Sequence, residues 1–272
     1  FNDICKVSLI FKSPVLDTLP NPEKVPCMTV TKVELRKTAQ FPALLLDYLD
    51  QKPNLKEFFN VFPSIDDAES VIRDHSNFDA GKRATLVKVL EEQYQGSPNK
   101  PDFSTLLDSK TFTVTTGHQL NIFTGPLYII YKIITTIKLA RELKVAYPTY
   151  NFVPVYWMAT EDHDFEEISS VHLFGNTYKW EGEHHGAVGR LNPQELEAIL
   201  KYLPVKPLLF TKAYLENNTL TDAVRCYMHE LFGQEGLVCL DADHPALKRE
   251  FLPVIKQELT DSPSEKIVTK TT

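Results

Sequence analysis

One stretch, Thr111–Arg141, limits the choice of fold more than any other part of the chain. It reads TFTVTTGHQLNIFTGPLYIIYKIITTIKLAR. β-Branched and aromatic residues over Thr111–Thr116 predict a short strand, which Gly117 breaks. A polar loop follows, carrying His118, Gln119 and Asn121. Gly125 and Pro126 then stand as the N-cap and first residue of a long apolar helix. Leu127, Ile130, Tyr131, Ile134 and Ile137 recur at helical spacing, and Ile129, Ile133 and Leu139 widen the stripe almost all the way round. So apolar a helix is expected to be buried, across the face of a sheet. Lys138, Arg141 and Lys144 gather near its C-terminal end, where the macrodipole favours cations. At the other end, unbonded N–H groups beside a glycine-bearing loop suit an anion.

The same strand-to-helix design recurs. Phe152–Thr160 (FVPVYWMAT) is apolar on both faces, as a strand inside a covered parallel sheet is, although Pro154 is out of place in a central strand. Leu237–Leu240 reads as a short buried strand, followed by a helix to about Leu259. Between them, Val171–Phe174 and Thr177–Trp180 flank a hairpin turn at Gly175-Asn176, Asn192-Pro193 opens a helix through Leu200, and Thr221–Phe232 is an amphipathic helix stopping at Gly233. The fold class is therefore α/β. Each strand runs into ionisable residues: Gly117–Asn121, Glu161–Asp164 and Asp241–His244. In open α/β sheets the ligand crevice lies outside such strand ends. Before Thr111 the texture is helical, at Pro42–Asp50, Ser64–His75 and Lys82–Tyr94, with one candidate strand at Val7–Phe11 and an aromatic cluster at Phe58, Phe59 and Phe62. This predicts a mainly helical region, 1–110, packed on an α/β core, 111–272.

Composition narrows the function classes. Among 272 residues there are 29 basic and 36 acidic ones, a net charge of −7 with no basic stripe, which argues against a nucleic-acid surface. No apolar run approaches the roughly 20 residues of a membrane span. Cys5, Cys27, Cys226 and Cys239 show no C-x-x-C spacing and read as free buried thiols in a reducing cytoplasm. The first residue is Phe1 rather than Met and the last are SEKIVTKTT, so a piece of a longer protein is expected.

Two constellations carry chemistry. TGHQ…TGP reads either as a phosphate or carboxylate cradle of backbone N–H groups, with His118 donating to developing charge, or as an ordinary βα loop. It is neither G-x-G-x-x-G nor a P-loop. EDHDFEE (Glu161–Glu167) crowds ionisable groups at the end of a buried strand. If extended backbone persists there, Glu161/His163 and Asp162/Asp164 form two pairs on opposite sides, one facing the crevice. A carboxylate can hold an ammonium, and His163 can act as acid or base. Asp164 also fits a plain helix N-cap, with Glu167 as its box partner. His184 and His185 suggest a metal site with Asp162 or His163, or simply a polar loop.

These residues resemble a known family. TGHQLNIFTGPLYIIYKIITTIKLA is similar to the TGQQ-x-x-x-F-x-GPLY-x-x-x-K-x-x-x-x-IKLA signature of the bacillithiol biosynthesis cysteine-adding enzymes (BshC), and VPVYWMATEDHDFEEI to their VPVFWxAxEDHDxxE segment. The likeness continues through LDADHP to the end of the chain. It implies a Rossmann-like, mainly parallel sheet with flanking helices, related to HIGH-type nucleotidyltransferase cores. It also implies addition of L-cysteine to glucosaminyl-malate as an amide, in a protein roughly twice as long that dimerises through a coiled-coil arm.

By this match, Gly117, His118, Gln119, Phe123, Gly125, Pro126 and Lys132 fall on the first motif, and Glu161, Asp162, His163, Asp164 and Glu167 on the second. His118 stands where many members carry Gln. Gly117, His118, Gln119, Asn121, Gly125, Pro126 and Lys132 are the candidate cofactor-binding residues, with ATP or ADP as the candidate cosubstrate and no metal expected. Glu161, Asp162, His163 and Asp164 are the candidate catalytic residues, and Trp157, Glu167 and Asp243 the candidate substrate contacts. A metal-dependent hydrolase using His163, Asp164 and His184 or His185, and a non-catalytic nucleotide- or sugar-binding module, are the alternatives.

Overall fold

The computed structural model describes residues 33–271. The strand expected at Val7–Phe11, Cys5 and Cys27 lie outside the described residues. The chain divides into two compact units, one ending at Asn60 and one running from Val61. In the first, α1 (Leu35–Thr38) and α2 (Ala43–Leu49) precede a 3-10 turn at Pro53–Phe58. Arg36 ties the two helices by pairing with both Asp47 and Asp50. Tyr48 meets Phe59 edge-on at 5.1 Å, while Phe58 is exposed.

The second unit is a mixed α/β domain. It begins with α3 (Ala68–Asp74) and α4 (Ala80–Gln93), the latter capped by Asp79. β1 (Thr111–His118), α5 (Tyr128–Ala146) and β2 (Asn151–Met158) follow, then α6 (Phe165–Ile168). A hairpin, β3 (Ser170–Leu173) and β4 (Asn176–Lys179), leads to α7 (Glu197–Tyr202), α8 (Leu208–Leu215) and α9 (Leu220–Phe232). β5 (Val238–Asp241), α10 (Pro245–Asp261) and α11 (Pro263–Thr271) close the order. The sheet is parallel throughout, in the order β1-β2-β5.

Pro154 sits in the middle strand without cost. Asn151 and Ala159 donate backbone N–H groups to Lys110 and His118 on the β1 side. Alternate residues of a parallel strand face alternate neighbours, so the nitrogen of Pro154 lies on the β5 side. The pairing with β5 begins only at Val155. The missing N–H therefore falls just before any partner begins.

Both edges of this sheet involve side chains, but unequally. On the β5 edge, the Gln93 side-chain amide accepts from the N–H of Asp241 and donates to its carbonyl, and Tyr94 Oη accepts from Cys239 N. One residue of α4 thus imitates a neighbouring strand. On the β1 edge, Arg83 donates to the carbonyl of Thr111 and Lys132 to that of Gly117. Between them the backbone groups of Thr113 and Thr115, which point away from β2, have no partner among the described residues.

α5 packs on β1 and β2, as expected, but with another face. Ile129, Ile133, Thr136, Ile137, Ala140 and Leu143 are buried, whereas Leu127, Tyr131 and Ile134 are exposed. In a helix apolar all round, the pattern alone does not choose the face. The hairpin turn is also shifted by one residue: Phe174 (φ 52°) and Gly175 (φ 78°) form it, rather than Gly175 and Asn176. Two successive left-handed residues match the twist of a two-residue hairpin.

Candidate functional site

The loop after β1 is held from several sides. His118 is buried, with Nε2 2.7 Å from the Tyr128 hydroxyl and Nδ1 3.4 Å from the Gln119 carbonyl. A carbonyl only accepts, so the proton belongs on Nδ1 and Nε2 receives the hydroxyl hydrogen. Burial, and then the charge of Lys132, hold His118 below the ordinary imidazole range. Lys132 Nζ lies 2.5 Å from the Gly117 carbonyl.

Beyond the loop, Phe123 (φ 53°), Thr124 (φ 69°) and Gly125 (φ 62°) are all left-handed. Phe123 N donates to the Tyr214 hydroxyl (2.6 Å), and its ring packs on Phe210 and Tyr214. A Cβ at Gly125 would lie 2.5 Å from Asn121 Cβ. This turn displaces the helix start: α5 begins at Tyr128, not at Gly125-Pro126, and Leu127 as N-cap offers no side-chain bond. Pro126 contributes its carbonyl to Ile129 N at 3.0 Å.

The second loop does not continue the strand. β2 ends at Met158, and the alternation expected over Glu161–Asp164 is absent. Asp162 Oδ1 instead accepts from His163 N (2.7 Å) and Asp164 N (3.1 Å), turning the chain. Asp164 Oδ1 caps α6 by accepting from Glu167 N at 3.1 Å. Glu161 pairs with Lys248 at 2.9 Å. His163 is exposed, and its imidazole has no partner among the described residues. Trp157 stands between Gly117 and Leu240 in register and is half exposed.

Glu167 joins the two loops. Its carboxylate accepts from Gln119 Nε2 (3.2 Å) and its backbone carbonyl from Asn121 Nδ2 (2.9 Å). Asn121 Oδ1 is buried with no hydrogen-bond partner among the described residues. The third strand end joins through Asp241, which bonds Thr160 Oγ1 and Asp243 N. Asp243 is gripped by Arg190 Nε (2.9 Å) and Nη2 (2.7 Å) and by Lys248. Burial works against its charge, yet Lys248 and Arg190 hold it below the usual carboxylate range. His244 caps α10 through Nδ1 and faces Glu92.

All three strand ends therefore meet, as an open shelf rather than an enclosed cavity: Glu161, His163, Asp164 and Glu167 are all exposed. His184 packs against Phe165 and Trp180, with Nε2 3.3 Å from Glu195. Among the described residues, no three or more His, Cys, Asp or Glu converge to hold a metal ion. Sequence reasoning missed Tyr128, Arg190 and Lys248. Tyr128 lies within the GPLY motif and was legible there. Lys248 and Arg190 belong to no motif, and only the fold brings them to Asp243.

Residues 28–272 match the family described as bacillithiol biosynthesis BshC, N-terminal Rossmann-like domain. A protein of Flavobacterium psychrophilum named "Putative cysteine ligase BshC" is 44% identical over 252 residues, covering 87% of this chain and 48% of that protein. Its namesake in Flavobacterium johnsoniae is 44% identical, covering 88% and 48%. That of Christiangramia forsetii is 40% identical, covering 90% and 49%. The chain spans about half the length of these curated relatives. No helix among the described residues is long and apolar enough to cross a membrane.

Proposed function

Because the chain belongs to the bacillithiol biosynthesis BshC family, as its N-terminal Rossmann-like domain, we propose that it carries the catalytic shelf of a ligase joining L-cysteine to the sugar amine of glucosaminyl-malate. The reading rests chiefly on Glu167, whose bonds to Gln119 and Asn121 set the loop after β1 and the acidic tip of β2 on one surface.

Amide formation needs a carboxyl whose oxygen can leave. ATP is the cosubstrate that would supply this activation. The N–H groups of the first turn of α5, which has no side-chain cap, and Lys132 would hold its phosphates. The remaining work falls to the chain itself. Asp164 keeps one carboxylate oxygen beyond its capping bond, and with Glu167 it holds the cysteine ammonium. His163, exposed and unengaged, takes the proton that the sugar amine releases as its nitrogen bonds the cysteine carbonyl carbon. Trp157 supplies an apolar wall. Asp243, with Arg190 and Lys248, fixes the far end of the shelf.

The test is thiol product formation by the protein at the length of its relatives, with and without ATP. His163→Ala is expected to lower turnover by about 10²–10⁴-fold, the usual contribution of a general base. Asp164→Asn keeps a capping oxygen and is expected to raise the KM for cysteine. Unchanged turnover in His163→Ala, with an unchanged melting temperature, rejects the assignment.

A further inference from the structure

We propose that His118 and Tyr128 couple anion binding to proton uptake: when a phosphate group settles at the start of α5, His118 takes one proton from water, and Tyr128 turns its hydroxyl hydrogen from the imidazole to the anion. This coupling rests on the phosphate assignment made above.

What each atom can give fixes the starting arrangement. His118 Nδ1 faces the Gln119 carbonyl at 3.4 Å, and Nε2 faces the Tyr128 hydroxyl at 2.7 Å. The carbonyl has no hydrogen, so the imidazole proton lies on Nδ1 and the single hydrogen of the tyrosine hydroxyl is spent on Nε2. Tyr128 is the first residue of α5 and is more than half exposed. Side chains of a helix lean toward its N-terminus, so this hydroxyl stands ahead of the helix start, where the phosphate would sit. As arranged, it offers that phosphate a lone pair.

A phosphate oxygen carries no hydrogen either. Tyr128 becomes a donor to it only by releasing Nε2, and two lone pairs then face each other across 2.7 Å. Shifting the imidazole proton from Nδ1 to Nε2 relieves that contact but sets a bare nitrogen against the Gln119 carbonyl. Protonation relieves both. Nδ1 still donates to Gln119, Nε2 donates to Tyr128, and Tyr128 donates to the anion. One N–H bond forms, at Nε2, and solvent supplies its proton.

Charge decides when this happens. Before the ligand arrives, His118 is buried, Lys132 of α5 opposes a second positive charge, and Glu167 of α6 offsets it only in part. Burial keeps Tyr156 of β2 neutral, with its hydroxyl against the His118 and Gln119 carbonyls. The imidazole therefore stays uncharged near neutral pH. A phosphate brings the negative charge that reverses this balance. His118 is thus a positioning residue, which sets the direction of a hydroxyl, and Tyr128 is the residue that meets the ligand.

The experiment is calorimetric titration with ATP, at pH 7.5, of the chain continued to the length of its relatives. Buffers of different ionisation heat count the protons bound with the ligand. The parent is expected to take up at least about half a proton more than His118→Gln, whose amide donates to Tyr128 without titrating. By the same linkage, the Kd of the parent is expected to rise at least about threefold from pH 7 to pH 8, a readout that needs no variant. Tyr128→Phe is expected to weaken ATP binding about tenfold or more and to bring proton uptake down to the His118→Gln level. Equal uptake in the parent and His118→Gln, or a parent Kd that is constant or falls over this pH range, overturns the coupling and leaves the phosphate assignment standing. No binding of ATP to the parent overturns both.

Discussion

At the scale of single residues, His118 is the group whose chemistry the fold changes most. Read in sequence, it is a donor to developing charge. In place, its Nε2 receives the Tyr128 hydroxyl, and burial together with Lys132 disfavours its protonated form. The folded pKa lies below the unfolded value of about 6.5. The unfolded chain then binds more protons as pH falls, so this contribution is complete above about pH 6.5 and is lost through the folded pKa on acidification. His118→Gln keeps an acceptor but cannot titrate. The difference in melting temperature between pH 7.5 and pH 5.5 is therefore expected to be smaller in His118→Gln than in the parent, measured by thermal denaturation. The loop residue types were legible in the sequence, because glycine, amide and imidazole stand together after a strand. The direction of the hydrogen bond was not, since it depends on a tyrosine ten residues away on the first turn of a helix.

At the scale of elements, β1 was legible from its β-branched and aromatic residues, and β2 and β5 from short runs apolar on both faces. α4 and α9 were legible from their amphipathic spacing and the Asn192 cap from its place before Pro193, whereas the caps Asp79 and Thr219 lie ahead of the expected starts at Lys82 and Thr221. The start of α5 was not legible. Phe123 and Thr124 adopt left-handed backbone because Tyr214 and Phe210, on α8, hold Phe123 in place, and side chains that distant leave no local signal. α8 itself was not anticipated. Gly125 is the residue this turn cannot replace: its φ of 62° and ψ of −146° suit glycine alone, and a methyl group would strike Asn121. Gly125→Ala is expected to destabilise by at least about 2 kcal/mol, from backbone strain and the contact together. Urea denaturation measures it, and a change under about 0.5 kcal/mol would contradict this account of the turn.

Across the whole molecule, the α/β rule that ligands gather at strand ends brought together what the sequence scattered over Gly117–His244. The burial of α5 was beyond that rule. Ile133 is 1% exposed and Ile134 43%, though they are identical neighbours in sequence. Ile134→Lys is expected to change the stability of this chain by less than about 0.5 kcal/mol. Ile133→Lys, burying an unpaired ammonium, is expected to unfold it or cost more than about 3 kcal/mol. Equal losses in the two variants, read by chemical denaturation, would mean that the helix buries another face.

The amide of Gln93 has a consequence for how such molecules associate. With one margin terminated by a glutamine and a tyrosine, stacking through the sheet has a single valence. Two copies could meet there once, but no third could join, so ribbon growth stops at a pair. Gln93→Leu would restore a second valence, turning a self-limiting surface into one that can propagate.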